Sequence, residues 1–270
     1  MTKSERQRVT VVDLMAAFAD SSDGNPGIRL DLSELTAKNT VISIVLVEPV
    51  VVESLAFQLG SAPERWQRYL GAAERDEAWL APSRLGERGV CRILLRMLLC
   101  RWLGRHIGSQ DFVLIGKGKP TLAGIDSQFD FNVSHSGGYL ALVFSAAGPV
   151  GIDVETRNHQ LKKADRLAKQ FFSESEGFAF FALPPEERPK VFRHIWAAKE
   201  AYVKSMGSGI FAETASSGFV LEGRTFRRVD GGSAAASATK AKVLLLNDDP
   251  SLVLCAVSTA DKIKLYAVGK

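Results

Sequence analysis

The spacing of apolar positions separates strand-like from helix-like segments in the first half of the chain. Residues 41–47 form a β-branched run that predicts a strand. Apolar positions then recur at helical spacing over residues 51–70 and 85–103, which predicts two helices. Residues 1–38 show neither period and are rich in Ser, Asp and Gly near their middle. We therefore expect an N-terminal extension, partly disordered, before the structured chain.

The second half alternates between blocks of strands and blocks of helices. Strand-like runs at residues 139–145 and 150–155 flank a short connection rich in turn residues. Three helical patterns follow, at residues 161–172, 174–182 and 186–206. Short β-like runs then occupy residues 219–221, 225–229, 243–246, 252–258 and 263–268.

Two of the predicted helix ends carry local signals. Ser173 is followed three residues later by Glu176, which is a capping-box signature for a helix start, and Gly207 can end the last helix. Strands segregated from helices in this way are typical of an α+β protein. We predict two similar α+β halves, related by a pseudo-twofold axis and packed side by side, with residues 39–147 in the first and 148–270 in the second.

Composition and charge exclude several classes of protein. A chain of 270 residues with 46% apolar and 24% charged positions is typical of a globular protein. No apolar run approaches the ~20 residues of a membrane span, so we expect no membrane partner and a cytoplasmic location. A net charge of +4 suits phosphates or an acidic partner without indicating nucleic acid. The three cysteines are odd in number and lack Cys-x-x-Cys spacing, so we expect buried free thiols.

Two carboxylates share one face of a predicted strand. In residues 150–155, alternation sends the valines and the isoleucine to one side and Asp153 and Glu155 to the other. Like charges about 6–7 Å apart along a strand repel, and a cation between them relieves the repulsion. An acidic strand face exposed to water is the alternative interpretation.

A third carboxylate lies on the helix predicted over residues 186–206. Trp196, Glu200 and Lys204 follow one another at four-residue steps and therefore lie on one side of the helix. Trp196 can anchor that side in the core, which would hold Glu200 and Lys204 near its margin. An ordinary stabilising Glu–Lys pair is the alternative.

Residues 131–138 run from a strand into a small polar turn rich in glycine. Backbone N–H groups, hydroxyls and the imidazole of His135 could all contact a phosphate there. Neighbouring side chains diverge on extended backbone, so Ser134 and His135 cannot form a nucleophile–base pair, which argues against a serine hydrolase. A loop with purely structural hydrogen bonds is the alternative.

Three motifs in fixed order carry a resemblance to a known family. They are Phe-Asn-Val-Ser-His-Ser at residues 131–136, Gly-Ile-Asp-Val-Glu at 151–155, and Trp-Ala-Ala-Lys-Glu-Ala-Tyr-Val-Lys at 196–204, with Phe-Phe-Ser-Glu-Ser-Glu at 171–176 between the last two. Together they resemble the signature of the Sfp-type 4′-phosphopantetheinyl transferases. The resemblance is clearest over residues 117–209 and extends more loosely to residue 41 and to the C-terminus.

The resemblance implies a metal site and a coenzyme site at the interface of the two halves. It implies that Asp153, Glu155 and Glu200 hold one Mg²⁺, a hard cation that prefers oxygen ligands. The first half would lie on the adenine side of coenzyme A, and the second would carry the metal. The implied coenzyme contacts are His135, Ser134, Lys119, Pro120, Arg75 and Arg84, of which the two arginines, with Trp79, match the family's pattern least well.

The resemblance also implies the reaction. A serine of an apo acyl or peptidyl carrier protein, from fatty acid, polyketide or non-ribosomal peptide synthesis, would attack coenzyme A and release adenosine 3′,5′-bisphosphate. Glu200, or Glu155 acting through a water molecule, would take the serine proton, and Lys204 would stabilise the leaving group. We expect a monomer.

Two other functions fit the same residues. A metal-dependent hydrolase of nucleotides or pyrophosphates could use the three carboxylates to activate water, and a carrier- or nucleotide-binding module could retain the fold without catalysis. A separate hypothesis concerns a basic stripe, formed by Arg84, Arg88, Arg92 and Arg96, that would steer an acidic carrier or the coenzyme phosphates; a solvated helix face is the alternative.

Overall fold

A computed structural model describes most of the chain after residue 40. The described residues are 5–9, 41–81, 84–126, 128–156, 164–208, 218–228, 242–249, 252–259 and 262–268. Apart from residues 5–9, the predicted N-terminal extension lies outside them. In the part of the chain so described, no helix is long and apolar enough to cross a membrane.

Fourteen strands and seven α-helices occupy the described residues. The strands are β1 (Glu5–Val9), β2 (Val41–Val47), β3 (Trp79–Ala81), β4 (Arg84–Leu85), β5 (Phe112–Ile115), β6 (Lys119–Leu122), β7 (Asp130–Ser136), β8 (Tyr139–Ser145), β9 (Gly151–Thr156), β10 (Phe219–Glu222), β11 (Thr225–Arg228), β12 (Lys242–Asp249), β13 (Leu252–Ser258) and β14 (Lys262–Val268). The helices are α1 (Pro49–Ser61), α2 (Pro63–Trp66), α3 (Ala72–Ala78), α4 (Glu87–Leu103), α5 (Ala164–Phe171), α6 (Glu174–Phe181) and α7 (Arg188–Met206).

The predicted helices are confirmed with one exception. The pattern over residues 51–70 is split, because Pro63 disfavours helical geometry at the residue before it and Ala62 adopts φ −135°. The capping box of Ser173 and Glu176 starts α6, and Gly207, with φ 66°, ends α7. The sequence did not predict β1, whose residues Glu5–Val9 pair in parallel with β14.

Two five-stranded sheets form the centre of the molecule. Their strand orders are β1-β14-β2-β8-β7 and β10-β11-β12-β13-β9. Strand β14 therefore lies in the first sheet, beside β2, although residues 262–268 were assigned to the second half. The mixed α+β class agrees with the prediction, but the sheets do not follow the predicted division at residue 147.

The two sheets pack face to face between helices. Residues Ile42, Ile44 and Leu46 of β2 face a core shared with β9 and β13, while Val45 and Val47 face a core shared with α1 and α4. Helix α7 covers the outer face of the second sheet. Alternation along β2 therefore serves two cores at once, as expected for a strand buried on both faces.

Strands β7 and β9 are the edges at which the two sheets meet. Alternate polar side chains of β7 accept hydrogen bonds from alternate backbone N–H groups of the β9 segment. Each donor lies 20 residues after its acceptor in the chain, which shows that the two strands run parallel. The accepting atom and its donor are Asp130 Oδ2 and Val150 N (2.8 Å), Asn132 Oδ1 and Ile152 N (3.2 Å), and Ser134 Oγ and Val154 N (3.3 Å). This side-chain ladder fixes the register of β9 against β7.

The cysteines are reduced, as predicted. All three are free thiols; Cys91 and Cys255 are buried, and Cys100 is half-buried. Burial raises the pKa of Cys91 to about 12, so this thiol is protonated and unreactive at neutral pH.

Gly151 sets the distance between β9 and α7. A Cβ atom at this position would lie 2.0 Å from the carbonyl oxygen of Ala201 and 2.6 Å from the backbone nitrogen of Ser205. Only glycine allows the helix backbone to come this close to the strand. The same close approach brings Glu200 and Lys204 of α7 beside the acidic residues of β9.

We expect Gly151→Ala to lower the free energy of unfolding by about 1–3 kcal/mol, because the methyl group forces the backbone of α7 away from the sheet. Urea denaturation measures this change. Gly177→Ala in α6 is a matched control, since no atom lies within 4 Å of its added Cβ, and it should be neutral or stabilising by up to about 1 kcal/mol. Equal stability of Gly151→Ala and wild type would contradict the close-contact argument.

Candidate active site

A polar groove crosses the junction of β7, β9 and α7. It consists of two pockets of about 340 Å³ each, which share Val133, Glu200 and Lys204 on their common wall. One pocket is bounded by the β5–β6 hairpin with Lys117 and Pro120. The other contains Ser134, His135, Ser136, Asp153, Glu155 and Trp196. The three motifs recognised in the sequence thus line one continuous groove.

Asp153 and Lys204 form an ion pair at the centre of the groove. The ammonium nitrogen of Lys204 lies 2.5 Å from Oδ1 of Asp153. Ser134 donates from Oγ to the same carboxylate oxygen at 2.9 Å and accepts from Lys204 at 3.1 Å. Burial raises the pKa of Asp153, with Lys204 and Ser134 opposing the shift.

The other two carboxyl groups are destabilised as anions. Burial, followed by the negative charge of Asp153, raises the pKa of Glu155 to about 9 and that of Glu200 to about 7. Burial lowers the pKa of Lys204, but the surrounding carboxylates outweigh it, so the net shift is upward. Three acidic groups therefore compete for one ammonium ion.

The donor set fits a hard divalent cation. All three candidate ligands offer carboxylate oxygens, and Oδ2 of Asp153 is buried with no hydrogen-bond partner in the described structure. Asp153, Glu155 and Glu200 line the same pocket. Nevertheless, no three His, Cys, Asp or Glu side chains within the described ranges are arranged as a metal-holding group. The donor atoms thus suit a hard cation, but their arrangement in the described structure does not form a metal-holding group.

His135 lies on the opposite side of β7 from Ser134, as alternation predicts. Its side chain is exposed at the rim of the pocket that contains Asp153. Nδ1 of His135 lies 3.1 Å from Oε1 of Glu87, the first residue of α4. The sequence contained no signal for Glu87, because the contact joins elements far apart in the chain.

Two predicted coenzyme contacts, which both line the groove, also make structural hydrogen bonds. The ammonium of Lys119 bonds to Asp130 and to the carbonyl oxygens of Val150, at 3.0 Å, and Ser205, at 3.2 Å. With its ammonium so engaged and buried, it ties the hairpin to the ladder and to α7. The hydroxyl of Ser134 likewise belongs to the carboxylate cluster. Pro120 lines the groove, as does the exposed Lys117, which the sequence analysis did not single out.

The arginines of the predicted coenzyme contacts and of the basic stripe lie in different surroundings. Arg75 lies on α3 and donates from Nε to the carbonyl of Leu70, and it is not among the residues lining either pocket. The side chain of Arg84 lies outside the described residues, as does that of Trp79. Arg96 is buried and bonds to Glu74 at 2.8 Å, and Arg92 lies 3.3 Å from Glu77. Helix α3 therefore neutralises half of the stripe, and Arg88 remains an exposed member.

Comparison with known proteins agrees with this arrangement. The sequence model of the 4′-phosphopantetheinyl transferase superfamily matches residues 149–249, which include β9 and α7. The 4′-phosphopantetheinyl transferase psf-1 of Bacillus pumilus is 33% identical over 182 residues, covering 67% of this chain and 68% of that protein. The chain belongs to the 4′-phosphopantetheinyl transferase family. The resemblance inferred from the motifs is confirmed.

Other transferases of the family match shorter stretches. HetI of a Nostoc species is 35% identical over 44% of this chain and 51% of its own length, and Sfp of Bacillus subtilis is 35% identical over 44% and 50%. The chain thus spans about half to two thirds of these relatives. A crystal structure of a holo-(acyl-carrier-protein) synthase from Bacillus anthracis in complex with CoA (3′,5′-ADP) aligns with TM-score 0.32 and 21% identity over 40% of this chain and 92% of that one, too low a similarity to support any argument.

We expect Lys119→Met to lower the free energy of unfolding by about 3–5 kcal/mol, because the buried carboxylate of Asp130 loses its ammonium partner. Lys117→Met, two residues away on the same hairpin and exposed, is the matched control and should change stability by less than about 0.5 kcal/mol. Denaturant titration measures both. A large rise in KM for coenzyme A with unchanged stability would instead restore the role predicted from sequence.

We expect the metal-free protein to lose stability as pH rises. The folded pKa values of Glu200, about 7, and Glu155, about 9, exceed the ordinary value of 4.5. The folded state therefore binds more protons than the unfolded state between these limits, and its stability falls as pH increases through them. Urea denaturation in EDTA from pH 5 to pH 9 tests this, and Glu155→Gln should flatten the curve above pH 7. A wild-type curve that rises over this range would refute the assignment.

Proposed function

We propose that this protein is a magnesium-dependent 4′-phosphopantetheinyl transferase that moves the phosphopantetheine arm of coenzyme A onto a serine of an apo carrier protein. The observation that carries the proposal is the convergence of Asp153, Glu155 and Glu200 around Lys204, in a groove whose rim holds His135. Membership of the family supports the same reaction. A hydrolase or a binding module lacks this combined support.

The acidic cluster would hold the metal, and the groove would hold the coenzyme. Asp153, Glu155 and Glu200 supply the oxygen ligands, and Mg²⁺ would neutralise charge on the coenzyme pyrophosphate. Lys204, on the wall common to both pockets, can reach a phosphate in either one. His135 at the rim and the exposed Lys117 on the hairpin are suited to the outlying phosphate of the nucleotide.

Glu200 is the better placed of the two candidate bases. It lines both pockets, whereas Glu155 lines one and accepts a hydrogen bond from Trp196. Glu200 would accept the proton of the carrier serine, while Lys204 would stabilise the charge that develops on the leaving phosphate.

The described chain supplies every residue in this scheme, so a monomer suffices. The carrier would come from fatty acid, polyketide or non-ribosomal peptide synthesis, and a cytoplasmic location would suit a reaction between coenzyme A and such a carrier. Arg88, still exposed on α4, is the remaining candidate of the basic stripe for contact with an acidic carrier.

The test is to incubate the protein with coenzyme A, Mg²⁺ and an apo carrier and to measure the carrier mass. We expect the mass of phosphopantetheine to be added, and Glu200→Gln to slow this step by about 10²-fold or more through loss of the base. Glu186→Gln, which alters an exposed carboxylate that is not among the residues lining the groove, should have wild-type activity. Hydrolysis of coenzyme A without transfer would indicate a hydrolase, and binding without turnover a non-catalytic module.

A further inference from the structure

The ammonium of Lys204 occupies the position where the acidic cluster requires a cation. It lies 2.5 Å from Oδ1 of Asp153, and Ser134 bonds to both partners. Its side chain is 28% exposed, against 5% for that of Asp153, so the lysine enters from the groove while the carboxylate is held by the strand. The pair therefore joins a buried carboxylate on the strand to an ammonium that is partly accessible from the groove.

This contact explains why the three carboxylates do not form a ready metal site. The carboxylate of Asp153 is bonded through Oδ1 to Lys204 and Ser134, and in the described structure only its other oxygen is without a hydrogen bond. A divalent ion bound here would lie beside the ammonium at close range. Even at Oδ2, which has no hydrogen-bond partner in the described structure, the ion would be held by the same carboxylate as the ammonium, and the two cations would repel each other.

We propose that Lys204 is a built-in substitute for the divalent cation, which must displace its ammonium from Asp153 in order to bind. The inference rests on the metal site of the proposed function. Displacement leaves the ammonium on the wall common to both pockets, directed towards the groove where coenzyme phosphates would lie. Metal binding and the release of Lys204 for phosphate binding are thus one coupled event.

The size of the effect follows from the bond that must be broken. A hydrogen bond to a charged group contributes about 1.5–3 kcal/mol, so displacing Lys204 should weaken cation binding by about 10- to 100-fold. The substitute has a benefit in the absence of metal, because it balances part of the negative charge of three buried or half-buried acids.

The displacement of Lys204 is tested by titrating the full chain with Mn²⁺ in the absence of coenzyme and carrier. The electron paramagnetic resonance signal of the free ion measures how much Mn²⁺ is bound. We expect Lys204→Met to bind Mn²⁺ at least about tenfold more tightly than wild type. Lys204→Arg, which keeps the charge, should stay within about threefold of wild type. Lys117→Met removes a lysine from the same groove that has no contact with Asp153, and screening by solvent should limit its effect to about twofold.

Thermal unfolding supplies a second readout in case Lys204→Met is less stable. Its Tm should rise more on addition of Mg²⁺ than that of wild type, because a cation replaces the missing ammonium. Equal or weaker Mn²⁺ affinity of Lys204→Met, or an equal gain in Lys117→Met, overturns the inference.

The transfer assay separates this inference from the proposed function. Magnesium-dependent transfer by the wild-type protein, combined with unchanged Mn²⁺ affinity in Lys204→Met, refutes the displacement of Lys204 alone. Failure of the wild type both to bind Mn²⁺ at millimolar concentration and to modify a carrier refutes both proposals.

Discussion

The ladder of side chains between β7 and β9 is the constraint on which the site depends. Each strand is the edge of its own sheet, and the unpaired N–H groups of β9 are bound by Asp130, Asn132 and Ser134 rather than by a neighbouring backbone. A shift of one residue in this register would turn Asp153 and Glu155 towards the inter-sheet core. The polar face of β7 thus decides which residues of β9 meet α7.

Two buried lysines of this region are paired with carboxylates. Buried ions are tolerated when they are paired and hydrogen-bonded. Lys119 satisfies this condition with Asp130, and Lys199 does so with Glu176, whose carboxylate also accepts from the backbone of Ser173 and Phe219. In each of these two pairs, one lysine matches one carboxylate and connects two secondary-structure elements.

The acidic cluster around Lys204 differs because it has fewer positive charges than carboxyl groups. Asp153, Glu155 and Glu200 share one ammonium, and two of their pKa values rise well above the ordinary range. Perturbation of this kind, in a groove and beside a single ammonium, is typical of a functional site. Lys204 therefore differs from Lys119 and Lys199 in that its acidic neighbours are not fully matched by cations.

The sequence by itself determined the chemistry of the site and its local geometry. Strand alternation placed Asp153 and Glu155 on one face, helical spacing aligned Glu200 with Lys204, and the capping box set the start of α6, because these depend on residues close in the chain. Only the tertiary structure decided which distant segments of the chain contact one another. It buried the ammonium of Lys119 against Asp130, joined β14 to the first sheet and brought Glu87 to His135, since such contacts depend on chain segments that local spacing cannot relate.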